Sequence, residues 1–259
     1  MTTLFDRRDN VEIAIDRLRT FEPAALKMHP DGYWVAFSGG KDSIVLLDLV
    51  RRSGVKHTVH YNFTTVDPPE LVQFIKKRYP ELHREYPEKT MWQLIPERRM
   101  PPTRRVRYCC EQLKEQGGKG RFVVTGIRWA ESVSRQKRGM VETCYKDTTK
   151  RYLHVILDWE TAEIWQYIRD NHLSYCKLYD EGLTRIGCVM CPFNSKAQKT
   201  DALRWPGFKK ADLRAFEKML VARKERGLET QWNTGEEVWE WWVNNDKEKD
   251  DPDQMGLFE

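Results

Sequence analysis

Apolar positions recur at helical spacing between residues 9 and 27, where Val11, Ile15 and Leu18 share one face. The pattern predicts an amphipathic helix, ended by Pro30, Asp31 and Gly32. Tyr33 to Phe37 reads as a short, fully apolar strand, and a Gly-Gly turn leads from it into a helix over Ile44 to Arg52. A second strand is expected over His57 to Asn62. Asp67-Pro68-Pro69-Glu70 then starts another helix, with proline in its first turn. Further strands are expected over His83 to Tyr86, Arg121 to Ile127 and Tyr152 to Leu157. Trp92 to Arg107, rich in proline and arginine, reads as an irregular loop leading into a helix that carries Cys109 and Cys110. From about residue 200 the helical period takes over, with a charged helix over Phe208 to Arg226 and a tryptophan-rich one over Glu236 to Val243.

Strands alternating with helices predict an α/β fold: a doubly wound, mainly parallel sheet with a C-terminal helical cap. The expected organisation is an N-terminal helix (1–29), a nucleotide-binding domain with the cysteines (30–200), a helical cap (201–245) and an acidic flexible tail (246–259). Ligands of such sheets bind at the carboxyl ends of strands. Ser38–Ser43 and Gly126-Ile127-Arg128 both follow strands and are expected to face one crevice.

Composition narrows the function. The 259 residues, 40% hydrophobic, fit a globular chain, and no apolar run approaches the roughly 20 residues of a membrane span. With no apolar signal core near the start, a cytoplasmic protein is expected. The formal charge of +5 is uneven: the last fourteen residues carry −4, leaving +9 on the rest. That balance suits an anionic partner, nucleotide phosphates or nucleic acid.

Ser38-Gly39-Gly40-Lys41-Asp42-Ser43 sits between strand and helix, as a phosphate-binding loop should. Gly39 and Gly40 let backbone N–H groups turn inward, and the helix that follows offers its positive end to an anion. Ser38 and Ser43 add hydroxyls, Lys41 adds charge, and Asp42 is a candidate to hold Mg²⁺ or to orient the loop. Lys41 is followed by Asp42 rather than Ser or Thr, so this is not a Walker loop, and the GxGxxG fingerprint is absent. The string resembles the PP-loop of ATP pyrophosphatases, which cleave ATP between the α and β phosphates.

Cys109-Cys110 and Cys188-x-x-Cys191 offer four thiolates, the number for a [4Fe–4S] cluster or a tetrahedral Zn²⁺. Cys144 and Cys176 have no sequence partner.

The cysteine spacing resembles that of assimilatory adenylylsulfate reductases. Three further stretches extend the likeness to the phosphoadenosine phosphosulfate reductase family: Gly126-Ile127-Arg128-Trp129-Ala130-Glu131-Ser132 with Arg135, the segment His154 to Ile168, and Leu178-Tyr179-Asp180-Glu181-Gly182 running into Arg185-Ile186-Gly187-Cys188. The resemblance implies an adenine-nucleotide site at Ser38–Ser43 and Gly126, with Lys41, Asp42, Arg128 and Arg135 as its catalytic candidates. It also implies an iron–sulfur centre at the four paired cysteines. The family's thioredoxin-dependent members carry a later Glu-Cys-Gly cysteine, and here no cysteine follows Cys191. With the loop intact, the expectation is Mg²⁺-dependent ATP pyrophosphatase chemistry that adenylates an acceptor, coupled to sulfur transfer to nucleic acid. The alternatives are a sulfonucleotide reductase producing sulfite and a non-catalytic, nucleotide-sensing DNA-associated module.

Arg98, Arg99, Arg104, Arg105 and Arg107 crowd the stretch before Cys109, with Trp92 and Tyr108 nearby. Arginines mixed with aromatics suit single-stranded or flipped nucleic acid, and equally a small polyanion. Gln254-Met255-Gly256-Leu257-Phe258 resembles the peptide that docks on bacterial sliding clamps, which makes a clamp a candidate partner.

Overall fold

The computed structural model describes residues 2–3 and 6–244; the acidic tail and the 254–258 motif lie outside the described residues. In chain order the elements are β1 (Thr2–Thr3), β2 (Asp6–Asp9), α1 (Asn10–Met28), β3 (Tyr33–Ala36), α2 (Lys41–Ser53) and β4 (His57–Asn62). Next come α3 (Pro69–Arg78), β5 (His83–Glu85), α4 (Met91–Arg98), α5 (Tyr108–Leu113), β6 (Phe122–Thr125) and α6 (Val133–Gln136). The chain continues through β7 (Val141–Thr143), β8 (Arg151–His154), α7 (Thr161–Asp170), α8 (Ser195–Arg204), α9 (Pro206–Glu225) and α10 (Gly235–Asn244).

Two compact units share these elements. The first takes the described residues up to Phe63, then Pro69–Tyr86 and Gln116–Ile186. β1 and β2 pair with each other, and the other six strands form one sheet in the order β5-β4-β3-β6-β8-β7. Within that sheet all pair in parallel except β7, which pairs antiparallel with β8 at the edge. The doubly wound, mainly parallel sheet is thus as expected. One sheet face buries Tyr33, Val35, Phe122 and Val124, joined by Ala14 and Leu18 of α1 and by the apolar side of α2. Each such side chain contributes roughly 1.5–3 kcal/mol on leaving water. Asp9 and Glu12 close a capping box that fixes the start of α1.

The second unit gathers Thr64–Pro68, Pro87–Glu115 and the described residues from Gly187 onward. It is helical. Phe216 of α9 meets Trp242 of α10 edge-on, at 5.7 Å between ring centroids. Helix α9 also packs on α4, where the Trp92 indole donates to Asp212 at 2.8 Å.

Two sequence expectations need correction. Trp92 to Arg107 is not loop throughout: α4 occupies Met91–Arg98, with a Thr90/Gln93 capping box and Pro96 inside it. Pro96, the sixth residue of the helix, removes one i→i−4 hydrogen bond, and the burial of Met91, Leu94 and Ile95 outweighs that loss. The strand expected to reach Leu157 ends at His154. Among the described residues no helix is long and apolar enough to cross a membrane.

Candidate functional site

Strand β3 delivers the chain into the turn before α2, where the two serines clasp it. Ser38 Oγ lies 3.2 Å from Ser43 Oγ, and the Ser43 hydroxyl donates to the Gly40 carbonyl at 2.8 Å. Gly39 has φ +72°, and a Cβ there would lie 2.7 Å from Ile75 Cδ1 of α3. Only glycine takes that conformation without strain. The first N–H groups of α2 have no intrahelical carbonyl to take them. Lys41 is 7% exposed, with its ammonium 3.2 Å from Asp42 Oδ2.

The end of β6 closes on the same place. A Cβ on Gly126 would lie 3.1 Å from both the carbonyl carbon and the oxygen of Asp42, so any larger residue there would make the Asp42 backbone give by a few tenths of an ångström. Arg128 is 1% exposed; its Nε donates to Asp42 Oδ1 at 2.7 Å and its Nη1 to the Trp159 carbonyl at 3.0 Å. Both Asp42 oxygens are therefore engaged within the protein. Glu131 accepts from the Arg128 amide at 2.9 Å and pairs with Arg135, which stands on the short α6. Ser38, Gly39, Gly40, Lys41, Asp42, Ser43, Gly126 and Arg128 thus converge. Arg135 joins them only through Glu131.

Sequence reasoning missed Tyr179. Its hydroxyl accepts the Lys41 N–H at 2.9 Å, and its ring centroid lies 5.9 Å from the Lys41 ammonium. Nothing local in Leu178-Tyr179-Asp180 signals a contact across 138 positions.

In the second unit, Cys109, Cys110, Cys188 and Cys191 line one cavity, together with Lys114, Asp212 and apolar side chains such as Val66, Ile95 and Trp242. Helix α5 carries the adjacent pair. A hydrogen bond between Cys109 and Cys110 pushes the Cys109 thiol well up and pulls Cys110 down to about 5, with help from the Arg107 guanidinium. Burial and the neighbouring Cys188 raise Cys191. The charge of Cys188 in turn holds the Lys114 ammonium well above its ordinary pKa. Among the described residues no group of three or more His, Cys, Asp or Glu side chains is set to hold a single metal ion. The donor set itself, four sulfurs around one apolar cavity with a cation beside them, is of the kind that suits an iron–sulfur cluster.

Arginines flank this cavity. Arg107 stacks over Phe193 at 4.1 Å from the ring centroid and donates to Cys110 Sγ at 3.5 Å. Arg104 stands 5.6 Å from the same ring, and Arg98 lies over Tyr108. Phe193 keeps 40% of its surface exposed. The remaining cysteines lie apart: Cys176 is buried with a raised pKa. Burial also raises Cys144, but hydrogen bonds from the Lys146 and Asp147 amides and the Tyr152 hydroxyl outweigh it and leave that thiol below its ordinary value.

Known proteins carry the same scaffold. The chain is 28% identical over 196 residues to an adenosine 5'-phosphosulfate reductase of Oceanobacillus iheyensis, covering 68% of this chain and 78% of that protein. It is 32% identical over 167 residues to an uncharacterized protein of Methanocaldococcus jannaschii, covering 61% of this chain but only 40% of that protein. The crystal structure of Candida glabrata FMN adenylyltransferase with FMN and the ATP analog AMPCPP matches with a TM-score of 0.50 at 20% identity, over 70% of this chain and 61% of that one. At that identity the likeness concerns the fold alone. The model of the phosphoadenosine phosphosulfate reductase domain matches residues 32–194, from the turn before β3 through the second cysteine pair. That stretch is well over half of the sequence, and on it the chain belongs to the phosphoadenosine phosphosulfate reductase domain family.

Proposed function

We propose that the chain binds ATP at Ser38–Ser43, adenylates an acceptor with release of pyrophosphate, and thereby prepares a nucleic acid for sulfur transfer. The observation that carries this reading is the loop, where two hydroxyls, a nearly buried ammonium and the start of α2 meet at the carboxyl end of β3. An acceptor oxygen attacks the α-phosphorus, the bond to pyrophosphate breaks, and the loop donors and Lys41 take up the charge of the leaving group. Asp42, held by Lys41 and Arg128, acts here by orienting the loop. Mg²⁺ belongs to the reading as the companion of ATP. Arg98, Arg104 and Arg107 with Phe193 are the basic and aromatic groups suited to a nucleic-acid acceptor. Cys109, Cys110, Cys188 and Cys191 would hold a [4Fe–4S] cluster, which when bound would supply redox or sulfur chemistry. The test is labelled pyrophosphate released from [γ-³²P]ATP in the presence of RNA or single-stranded DNA. Sulfite from adenylylsulfate, with no turnover of ATP, would sink it.

That second outcome belongs to the reductase reading, favoured by the name of the Oceanobacillus relative. Its attacking thiol would be Cys144, whose lowered pKa suits it better than the buried Cys176.

A further inference from the structure

The amide that opens α2 already has a partner. Lys41 is the first residue of that helix, and its N–H, which no helical carbonyl can take, is accepted by the Tyr179 hydroxyl at 2.9 Å. The same hydroxyl interacts with the Ile186 amide. Two backbone donors therefore converge on one oxygen, the surroundings an anionic oxygen takes, and the Lys41 ammonium stands 5.9 Å from the centre of the same ring. The occupant is a neutral phenol at ordinary pH, and burial keeps it so by raising its pKa further, to about 12. The ring is held independently of the hydroxyl, edge-on to Trp165 at 5.1 Å and to Tyr175 at 6.2 Å.

We propose that Tyr179 is a removable cap, its hydroxyl standing where a phosphate oxygen of the bound nucleotide would stand. The proposal rests on the reading that ATP binds this loop. A phosphate oxygen makes a charge-assisted hydrogen bond roughly twice as strong as the neutral one it replaces, so the exchange favours the ligand. The hydroxyl nevertheless competes, weakening affinity for anything that brings a phosphate and leaving affinity for the adenine part untouched. Tyr179 is thus a residue that sets affinity by the phosphate chain.

The experiment compares the wild type with Tyr179→Phe by calorimetry, using ATP, inorganic pyrophosphate and adenosine as probes. The variant is expected to bind ATP and pyrophosphate about fivefold more tightly, the size of one net hydrogen bond. Adenosine affinity should not change. The melting midpoint of the ligand-free variant should fall and be restored by pyrophosphate, because the ligand replaces the missing acceptor. Unchanged or weaker binding of pyrophosphate, with a lower midpoint in both states, makes the hydroxyl merely structural and overturns the cap alone. A wild type that binds neither ATP nor pyrophosphate overturns the nucleotide reading and the cap with it. If the variant does not fold, the ¹³Cζ resonance of Tyr179 in the wild type decides: it must shift on adding pyrophosphate, and a static resonance at saturation refutes displacement.

Discussion

Arg128 and Asp42 stand 86 positions apart and meet as an ion pair, Nε to Oδ1 at 2.7 Å, with the guanidinium almost wholly enclosed. The pair locks the start of α2 to the end of β6. Replacing Arg128 by Met leaves Asp42 without its main partner and is expected to cost about 3 kcal/mol, the low end for a broken buried pair because Asp42 keeps partial exposure. Arg128→Lys keeps the charge but not the fork that also reaches the Trp159 carbonyl. Its ATP affinity should fall about tenfold, and its stability should fall by less than that of the methionine variant, because Asp42 keeps a cationic partner. Thermal melts paired with calorimetry check both.

The two loop glycines should behave differently. Gly39→Ala forces an L-residue to φ +72° and presses its Cβ on Ile75 and Leu71, so a loss of about 2 kcal/mol and of nucleotide binding is expected. Gly40→Ala meets only ordinary contacts at 3.5 Å, from Ser38 Oγ and the Tyr179 hydroxyl. It should fold normally. Equal melting midpoints for the two variants would contradict this account of the turn.

Much of this geometry was legible in the sequence, because its signals are local. The apolar run at Tyr33, the paired glycines and the helical period after them needed no distant partner to be read. What escaped notice depends on contacts between remote positions. Helix α4 was hidden by Pro96, and it is supported by the Trp92–Asp212 bond across 120 residues. Arg128 carried a plausible ligand-binding signal, yet its guanidinium turns inward to Asp42, which no spacing rule foretells.

Asp212 is 4% exposed, and burial raises its pKa to about 7, against the hydrogen bond from Trp92. A carboxyl raised on folding contributes stability that is complete below its unfolded pKa and is lost as pH rises to the folded value. The fold should therefore weaken between about pH 4 and pH 7, by at most about 4 kcal/mol. Asp212→Asn, which can still accept from Trp92, should flatten that slope and raise the melting midpoint at pH 8. Parallel pH profiles for the variant and the wild type would refute the assignment.

Of the adjacent thiols, Cys110 is the acidic one. In protein freed of any metal, at pH 6, iodoacetamide should modify Cys110 and spare Cys109, which keeps its proton in the hydrogen bond between them. Arg107→Ala should slow that labelling, since the guanidinium stabilises the thiolate. Peptide mapping by mass spectrometry reads the outcome, and preferential modification of Cys109 would reverse the assignment.

The second unit is assembled from three separate stretches of chain, and this has a consequence for biosynthesis. During translation Cys109 and Cys110 leave the ribosome with 77 residues still to come before Cys188, and the last stretch of the first unit, ending at Ile186, emerges between them. The early pair must wait, reduced and without its partners, until α8, α9 and α10 follow. The sulfur-lined cavity is therefore closed only after Trp242 has emerged, and any metal centre in it is enclosed after that point.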